Sequence, residues 1–339
     1  GEVTEHIPYI AEFDLAQNVN TLEIVIQVSN HIYARSGVTQ TLLLGTPASA
    51  YEAREKKLFV STFVAGALFL IGLYHLTFGI TRRSERLMIY FGLFCIGISL
   101  RLLVTDEKYL LQLIPSLGSQ HVLSIEILTA YWSLPLLHLF ISDLYKEDFY
   151  LFSLGKHLHK LIPSFKRSQQ KIVCVLTSKV AMLFFVASVF ITPLNIHSEL
   201  LFPFEIYVSF ILLHILIVAV RVVYHKRRGS VLFAFGFVAL FVAGFHDMMA
   251  ERGFINSGYV FTWGVMVFVF AQASLLSRDI AEAFTEIEIF NRTLESNVEL
   301  RTKELKNANI ELSRLTEDNR ELGRVTTSSI ENEKLLIAK

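Results

Sequence analysis

Apolar residues are distributed differently in successive parts of the chain. Up to about residue 57 they tend to alternate: Leu22, Ile24, Ile26 and Val28 interleave with Glu23, Val25, Gln27 and Ser29, and Thr41–Gly45 forms a second short apolar run. A period of two is that of a half-buried strand, so β-strands are predicted here. Two or three strands do not make a stable domain, and residues 1–57 are therefore read as the end of a larger β-domain, with a polar helical approach to the membrane over Tyr51–Lys57. Apolar runs then occur at 58–80, 87–105, 121–143, 172–192, 204–223, 231–249 and 259–276. Each is about the length needed to cross a hydrocarbon core, roughly 17 to 25 helical residues. They predict a bundle of seven spans.

After the last span the pattern changes again. Apolar residues recur at steps of four and three: Ile280, Phe284, Ile287, Leu294, Val298, Leu305, Ala308, Leu312, Leu315 and Leu322. This is a coiled-coil seam. The same register puts Asn291, Arg301 and Asn319 at seam positions, where a buried polar group weakens pairing but fixes register and strand number. One seam needs another, so a parallel homodimer is expected. No Pro or Gly lies between Leu275 and Leu322, which leaves a tilt or rotation of the last span free to pass into the stalk. Past Leu322, Gly323 and the run Val325–Ser329 shift the phase before Ile330 and Ile337 resume it. The steps 322, 326, 330 are a stutter, which locally unwinds a supercoil. A cytoplasmic output domain is expected further on.

Charge fixes the expected orientation. Alternate loops carry Arg82, Arg83 and Arg86, then Lys146, Lys156, Lys160, Lys166, Arg167 and Lys171, then Lys226, Arg227 and Arg228, whereas the opposite loops carry Lys108 and Arg252. Basic loops stay in the cytoplasm, so the N-terminus is predicted outside and the stalk inside. Composition agrees: 53% of the 339 residues are hydrophobic against 18% charged, with a net charge of zero and a mean hydropathy of +0.47. That is the profile of a polytopic membrane protein and offers no basic face for nucleic acid. The loop Leu144–Lys171 interleaves Phe149, Leu151, Phe152, Leu154, Leu158, Leu161, Ile162 and Phe165 with histidines and basic residues. An interfacial amphipathic helix fits, either touching anionic lipid or the stalk base, or serving only as a connector.

Ionisable residues inside spans are costly and mark candidate sites. Arg101, Glu126, Glu205, His246 and Asp247 fall in the outer third of their spans, Lys179 and His214 near the middle, and His75, His138 and Asp143 toward the cytoplasm. The outer set is read in two ways: as a pocket for a ligand or for a loop of the outer domain, or as internal pairs such as Arg101 with Glu126 that stitch the bundle. Cys95 and Cys174 lie in apolar stretches without ligand spacing and are read as packing residues. There is no phosphate-binding Gly loop, no nucleophile elbow and no His-Glu-x-x-His, and the stalk holds no histidine. No catalytic residue, metal site or cofactor is therefore predicted in these residues. Enzyme activity is expected of the full-length protein through its output domain.

The stretches LEIVIQVSNHIYARSG at Leu22–Gly37, LLLG at 42–45, GLYHL at 72–76 and YFGLFCIGISLR at 90–101 resemble bacterial seven-transmembrane receptors with diverse intracellular signalling modules, over roughly residues 15 to 276. The chain departs from that pattern in having the single Gly37 where a Gly pair is frequent. The resemblance implies a sensor of the bacterial inner membrane, with a periplasmic jelly-roll domain of carbohydrate-binding type and an exchangeable effector: a histidine kinase, nucleotide cyclase, diguanylate cyclase or phosphatase. The expected protein is thus mainly α, with a periplasmic β remnant over 1–57, a seven-helix transmembrane bundle over 58–276 and a cytoplasmic dimeric coiled coil over 277–339. Its expected partners are a second copy, membrane lipid and a small-molecule or carbohydrate-like ligand. The rival reading is a transporter or channel with an oligomerisation stalk, although the chain shows no inverted repeat and no Gly/Pro-interrupted spans in corresponding positions.

Overall fold

The computed structural model describes residues 10–14, 23–25, 44–81, 86–105, 107–150, 167–251, 254–255 and 259–337. Of these 88% are helical and none lies in a strand, which makes the chain mainly α. The predicted strands fall largely outside the described residues. Residues 23–25 and 44–45, which lie within them, are not in a strand.

The helices are α1 (Pro47–Thr81), α2 (Arg86–Val104), the short α3 (Tyr109–Leu113), α4 (Gly118–Leu144), α5 (Arg167–Ile191), α6 (Leu194–Tyr224), α7 (Ser230–Glu251) and α8 (Phe261–Ile337), with a 3-10 turn at Pro115–Leu117. Seven of them contain stretches long and apolar enough to cross a membrane. Several begin well before their apolar run. At α1, Pro47 occupies the first helical position, where its missing N–H costs nothing, and Thr46 caps the turn through Oγ1, which accepts the N–H of Ser49 at 3.3 Å. At α6, Pro193 precedes the first turn, and the helix continues through Pro203, whereas the span expected from the sequence starts only at residue 204. Pro135 likewise lies inside α4. Most of the Leu144–Lys171 loop, with its expected amphipathic helix, lies outside the described residues.

Unit by unit, the chain divides at Gly1–Leu275 and Leu276–Lys339, a boundary inside α8. In the first unit α1 packs along α2, α2 along α4, and α4 along both α5 and α6. The α1–α2 contact is glycine on glycine: a Cβ on Gly72 would stand 2.9 Å from the carbonyl oxygen of Gly92, and one on Gly92 would stand 2.8 Å from that of Gly72. Such backbone approach is how apolar helices gain packing energy where lipid removes the hydrophobic drive. Ser99 reinforces it by donating to the Ala65 carbonyl at 2.7 Å. Between α4, α5 and α6, the core is Ile127, Tyr131, Phe185 and Phe204. Small residues also bring α7 against α8, with Gly236 facing Ala271 and Gly264 facing Ala243. The α6–α7 turn needs Gly229 twice over, because its φ is +67° and the Leu275 side chain occupies the space a Cβ would take.

The described part of the second unit is a single helical stretch, the continuation of α8 to Ile337. From Ala281 on, every described side chain is exposed, including Phe284, Ile287, Leu294, Val298, Leu305, Leu312, Leu315 and Leu322. Its opposite charges pair along the helix, as Arg292 with Glu288 at 2.6 Å and Arg301 with Glu304 at 2.9 Å. At these exposures each pair is worth only about 0.3–0.5 kcal/mol. Thr326, Thr327, Ser328 and Ser329 each donate back to a carbonyl three or four residues earlier, and the helix persists through this run.

Candidate functional site

The start of α8 is held by a side chain from another helix. Val260 sits at the helix N-cap, since its carbonyl accepts the first bonds, from Trp263 at 3.0 Å and Gly264 at 3.3 Å. A valine has no side-chain acceptor for the exposed N–H groups of a first turn. Asp247, near the end of α7, supplies one. Its Oδ1 accepts the N–H of Val260 at 2.8 Å and its Oδ2 that of Phe261 at 2.9 Å. A carboxylate there also meets the positive end of the helix dipole. His246 Nδ1 lies 2.9 Å from Asp247 Oδ1, and the Asp247 side chain is only 13% exposed. Two of the residues singled out from the sequence thus meet here, in a role the sequence did not show.

Arg101 and Glu126 also meet, but through the backbone: Arg101 Nη1 donates to the Glu126 carbonyl at 2.9 Å, and Thr129 Oγ1 donates to the same oxygen at 2.8 Å. Glu205 lies half-buried on α6, where its carbonyl accepts Ser209 Oγ at 2.8 Å. The start of α1 is tied to the α2–α3 connection by Arg54, 3.2 Å from Glu107 Oε2, with Lys57 3.7 Å from Oε1.

Toward the end of the bundle that carries the 225–229 turn, three helices share a buried chain. His138 on α4 has Nδ1 at 2.5 Å from Ser178 Oγ on α5 and Nε2 at 2.8 Å from His214 Nδ1 on α6. All three side chains are buried. Phe149 closes the chain from beyond α4, its ring centroid 4.8 Å from that of each imidazole. Depth along the spans groups His214 with Lys179. The structure places Lys179 at the exposed surface of α5 and gives His214 to His138 instead. His75 is buried against Tyr74 and Phe91, and Asp143 is half-buried.

Beyond Phe149, the residues after α4 are pinned to the end of α6. Arg221 Nη1 donates to the carbonyls of Asp148 at 2.6 Å and Tyr150 at 2.8 Å, and its guanidinium lies 3.6 Å over the Tyr150 ring. The buried Asp148 carboxylate stands 2.5 Å from His225 Nδ1 and accepts Arg227 Nε at 2.6 Å. The hydrogen bond to Asp148, first among the causes, pushes the Arg227 guanidinium above its ordinary range. Ser178, Asp148 and Arg221 are not among the residues singled out from the sequence. A buried Asp just after an apolar span was the available signal, since such a group must find cations.

Among the described residues no three His, Cys, Asp or Glu side chains converge as metal ligands do. Cys95 and Cys174 are both buried and unbridged. What the geometry offers is mechanical: α7 grips the first turn of α8 by a carboxylate and the flank of α8 by small residues.

No curated protein and no solved structure matches the chain. The sequence model of the family described as 7TM diverse intracellular signalling matches residues 57–280, which takes in all seven apolar helices up to the first residues beyond Leu275. The chain is thus a membrane protein and belongs to the 7TM diverse intracellular signalling family.

Proposed function

We propose that the chain is a dimeric transmembrane signal receptor of the bacterial inner membrane, with its N-terminus periplasmic and α8 ending in the cytoplasm. A periplasmic or intramembrane event, of which a small-molecule or carbohydrate-like ligand is the expected source, displaces α7 and α8. Displacement passes along α8 to a cytoplasmic effector enzyme. The observation that carries this reading is that one helix, Phe261–Ile337, contains both an apolar span and the heptad-patterned stretch. Its exposed apolar stripe, from Phe284 to Leu322, supports a seam for a second copy. The basic loops around Arg82, Lys146 and Arg227 support the orientation.

Helix phase tests it. A continuous helix advances about 100° per residue, so one residue inserted between Ser277 and Arg278 rotates the stalk, while seven nearly restore its face. In the full-length receptor, effector output with and without stimulus should be locked or scrambled by one inserted residue and recover at seven. A response that declines smoothly with insert length, with no return at seven, refutes rigid transmission. Flux of a solute through reconstituted protein would decide for a transporter instead.

A further inference from the structure

The outward face of α5 carries a charge that the bundle leaves unanswered. We propose that this face is a docking surface for a transmembrane helix of another protein, one that bears an Asp or Glu level with Lys179. The proposal depends neither on pairing through the stalk nor on an effector.

Of the seven apolar helices α5 is the least covered, with 22% of its apolar window buried inside the chain. Cys174, Ser178, Phe185 and Ser188 form the stripe turned into the bundle. Lys179 follows Ser178 by one residue, about 100° around the helix, and is exposed together with Leu176, Val180 and Leu183. Its depth sets it apart from an ordinary surface lysine. The apolar stretch of α5 runs from Gln169 to Ile191, so Lys179 stands about 15 Å from one end and about 18 Å from the other along the axis. Helical side chains lean toward the N-terminus, and a lysine stem extended that way brings the ammonium nearer the Gln169 end without reaching it. An ammonium in hydrocarbon is strongly disfavoured, and ionisable residues within spans almost always face the bundle interior or pair. Among the described residues, Lys179 does neither.

No carboxylate on the described spans is level with it. Glu205 follows Phe204, whose ring centroid is 5.1 Å from that of Phe185, and Phe185 lies about 9 Å beyond Lys179 toward the outer end. Glu126 is further out still, since it precedes Tyr131, whose ring meets the same two phenylalanines. Asp247 is engaged at the start of α8, and Asp143 stands next to the end of α4. A second copy does not answer the charge through the same face. Copies related by a two-fold axis along the membrane normal keep equal depths, so α5 against α5 would set Lys179 against Lys179. The charge therefore calls for a different chain. A carboxylate at this depth would meet the ammonium away from water, where opposite charges attract far more strongly than at a wet surface. Leu176, Val180 and Leu183 supply the packing around the pair.

The test uses the whole chain in lipid vesicles, with synthetic transmembrane peptides as probes. Ile191→Cys, at an exposed position of α5, carries the donor dye, and the buried Cys95 and Cys174 stay in place. The peptides are Leu/Ala helices carrying an acceptor dye and differ only in having a central Asp, a central Leu, or an Asp moved two turns toward one end. Energy transfer should show the central-Asp peptide associating about tenfold more tightly than the central-Leu peptide, the order expected of a polar contact between spans. Lys179→Leu should erase that difference, Lys179→Arg should keep it, and the displaced Asp should lose it. Because Lys179 is exposed, neither variant touches the core. Equal association of the central-Asp and central-Leu peptides, or a preference for Asp that persists in Lys179→Leu, overturns the proposal. Efficient disulfide crosslinking of two copies through Leu183→Cys overturns it as well, since the face would then belong to a second copy.

Discussion

Asp247 is the most direct handle on α8. Its carboxylate accepts two backbone N–H groups, at 2.8 and 2.9 Å, from a side chain 13% exposed. Losing an N-cap side chain costs about 0.5–2 kcal/mol, and losing a partly buried negative charge at a helix N-terminus costs up to about 2 kcal/mol more. Asp247→Ala removes both and should destabilise the first turn of α8 by about 3 kcal/mol. Asp247→Asn keeps one acceptor oxygen but turns an N–H toward the second amide, and should cost about half as much, roughly 1.5 kcal/mol. Since about 1.4 kcal/mol is a factor of ten, amide hydrogen exchange at Val260 and Phe261 should accelerate about a hundredfold in the Ala variant and about tenfold in the Asn variant. The measurement is exchange on protein in nanodiscs, with amides in the middle of α2 as the internal reference. Unchanged protection at Val260 and Phe261 in Asp247→Ala would show that the cap contributes nothing. Acceleration of equal size in α2 would mean that the whole bundle, not the first turn, had loosened.

Two further outcomes are expected. If the exposed stripe of α8 pairs with a second copy, Leu305→Asp with Leu312→Asp places like charges against their symmetry mates in an apolar seam, and disulfide crosslinking through Val298→Cys should be lost; undiminished crosslinking would refute the seam. Because Arg101 bonds the peptide oxygen of Glu126, Arg101→Leu should cost about 1.5–3 kcal/mol, the value of a hydrogen bond to a charged group. Glu126→Leu should leave that bond in place, and a thermal-stability cycle showing strong non-additivity would instead place the two side chains in a shared ion pair.

The spans were legible because a membrane helix announces itself over some twenty consecutive residues, a signal no single side chain can hide. The features that escape a reading of the sequence depend on partners distant along the chain. Pro203 looks like the edge of a span because proline ordinarily ends a helix, yet α6 runs on both sides of it. Asp247 and Val260 are thirteen residues apart and belong to different helices, so neither the missing cap nor its replacement shows in local pattern. Depth alone sets Lys179 beside His214. Helix rotation, which hydropathy does not encode on spans that are apolar all round, sends one to the surface of α5 and the other to His138. The same ambiguity hides Ser178, an ordinary residue in sequence and a buried partner in the fold. Arg101 and Glu126 share a depth, but whether a guanidinium finds a carboxylate or a carbonyl is decided by ångström-scale packing.

The glycine contact between α1 and α2 constrains how this sequence can diverge. Each of Gly72 and Gly92 presents its backbone oxygen to the other's missing Cβ, so no repacking of side chains can make room for an alanine at either place. A replacement survives only if the two helices separate. Separation would also stretch the 2.7 Å bond from Ser99 to the Ala65 carbonyl. Both positions should therefore resist drift for as long as α1 keeps its place on α2. A descendant that loses either glycine must re-seat α1 against α2, whereas the exposed Phe63, Leu70 and Leu73 of the same helix can exchange freely among apolar residues.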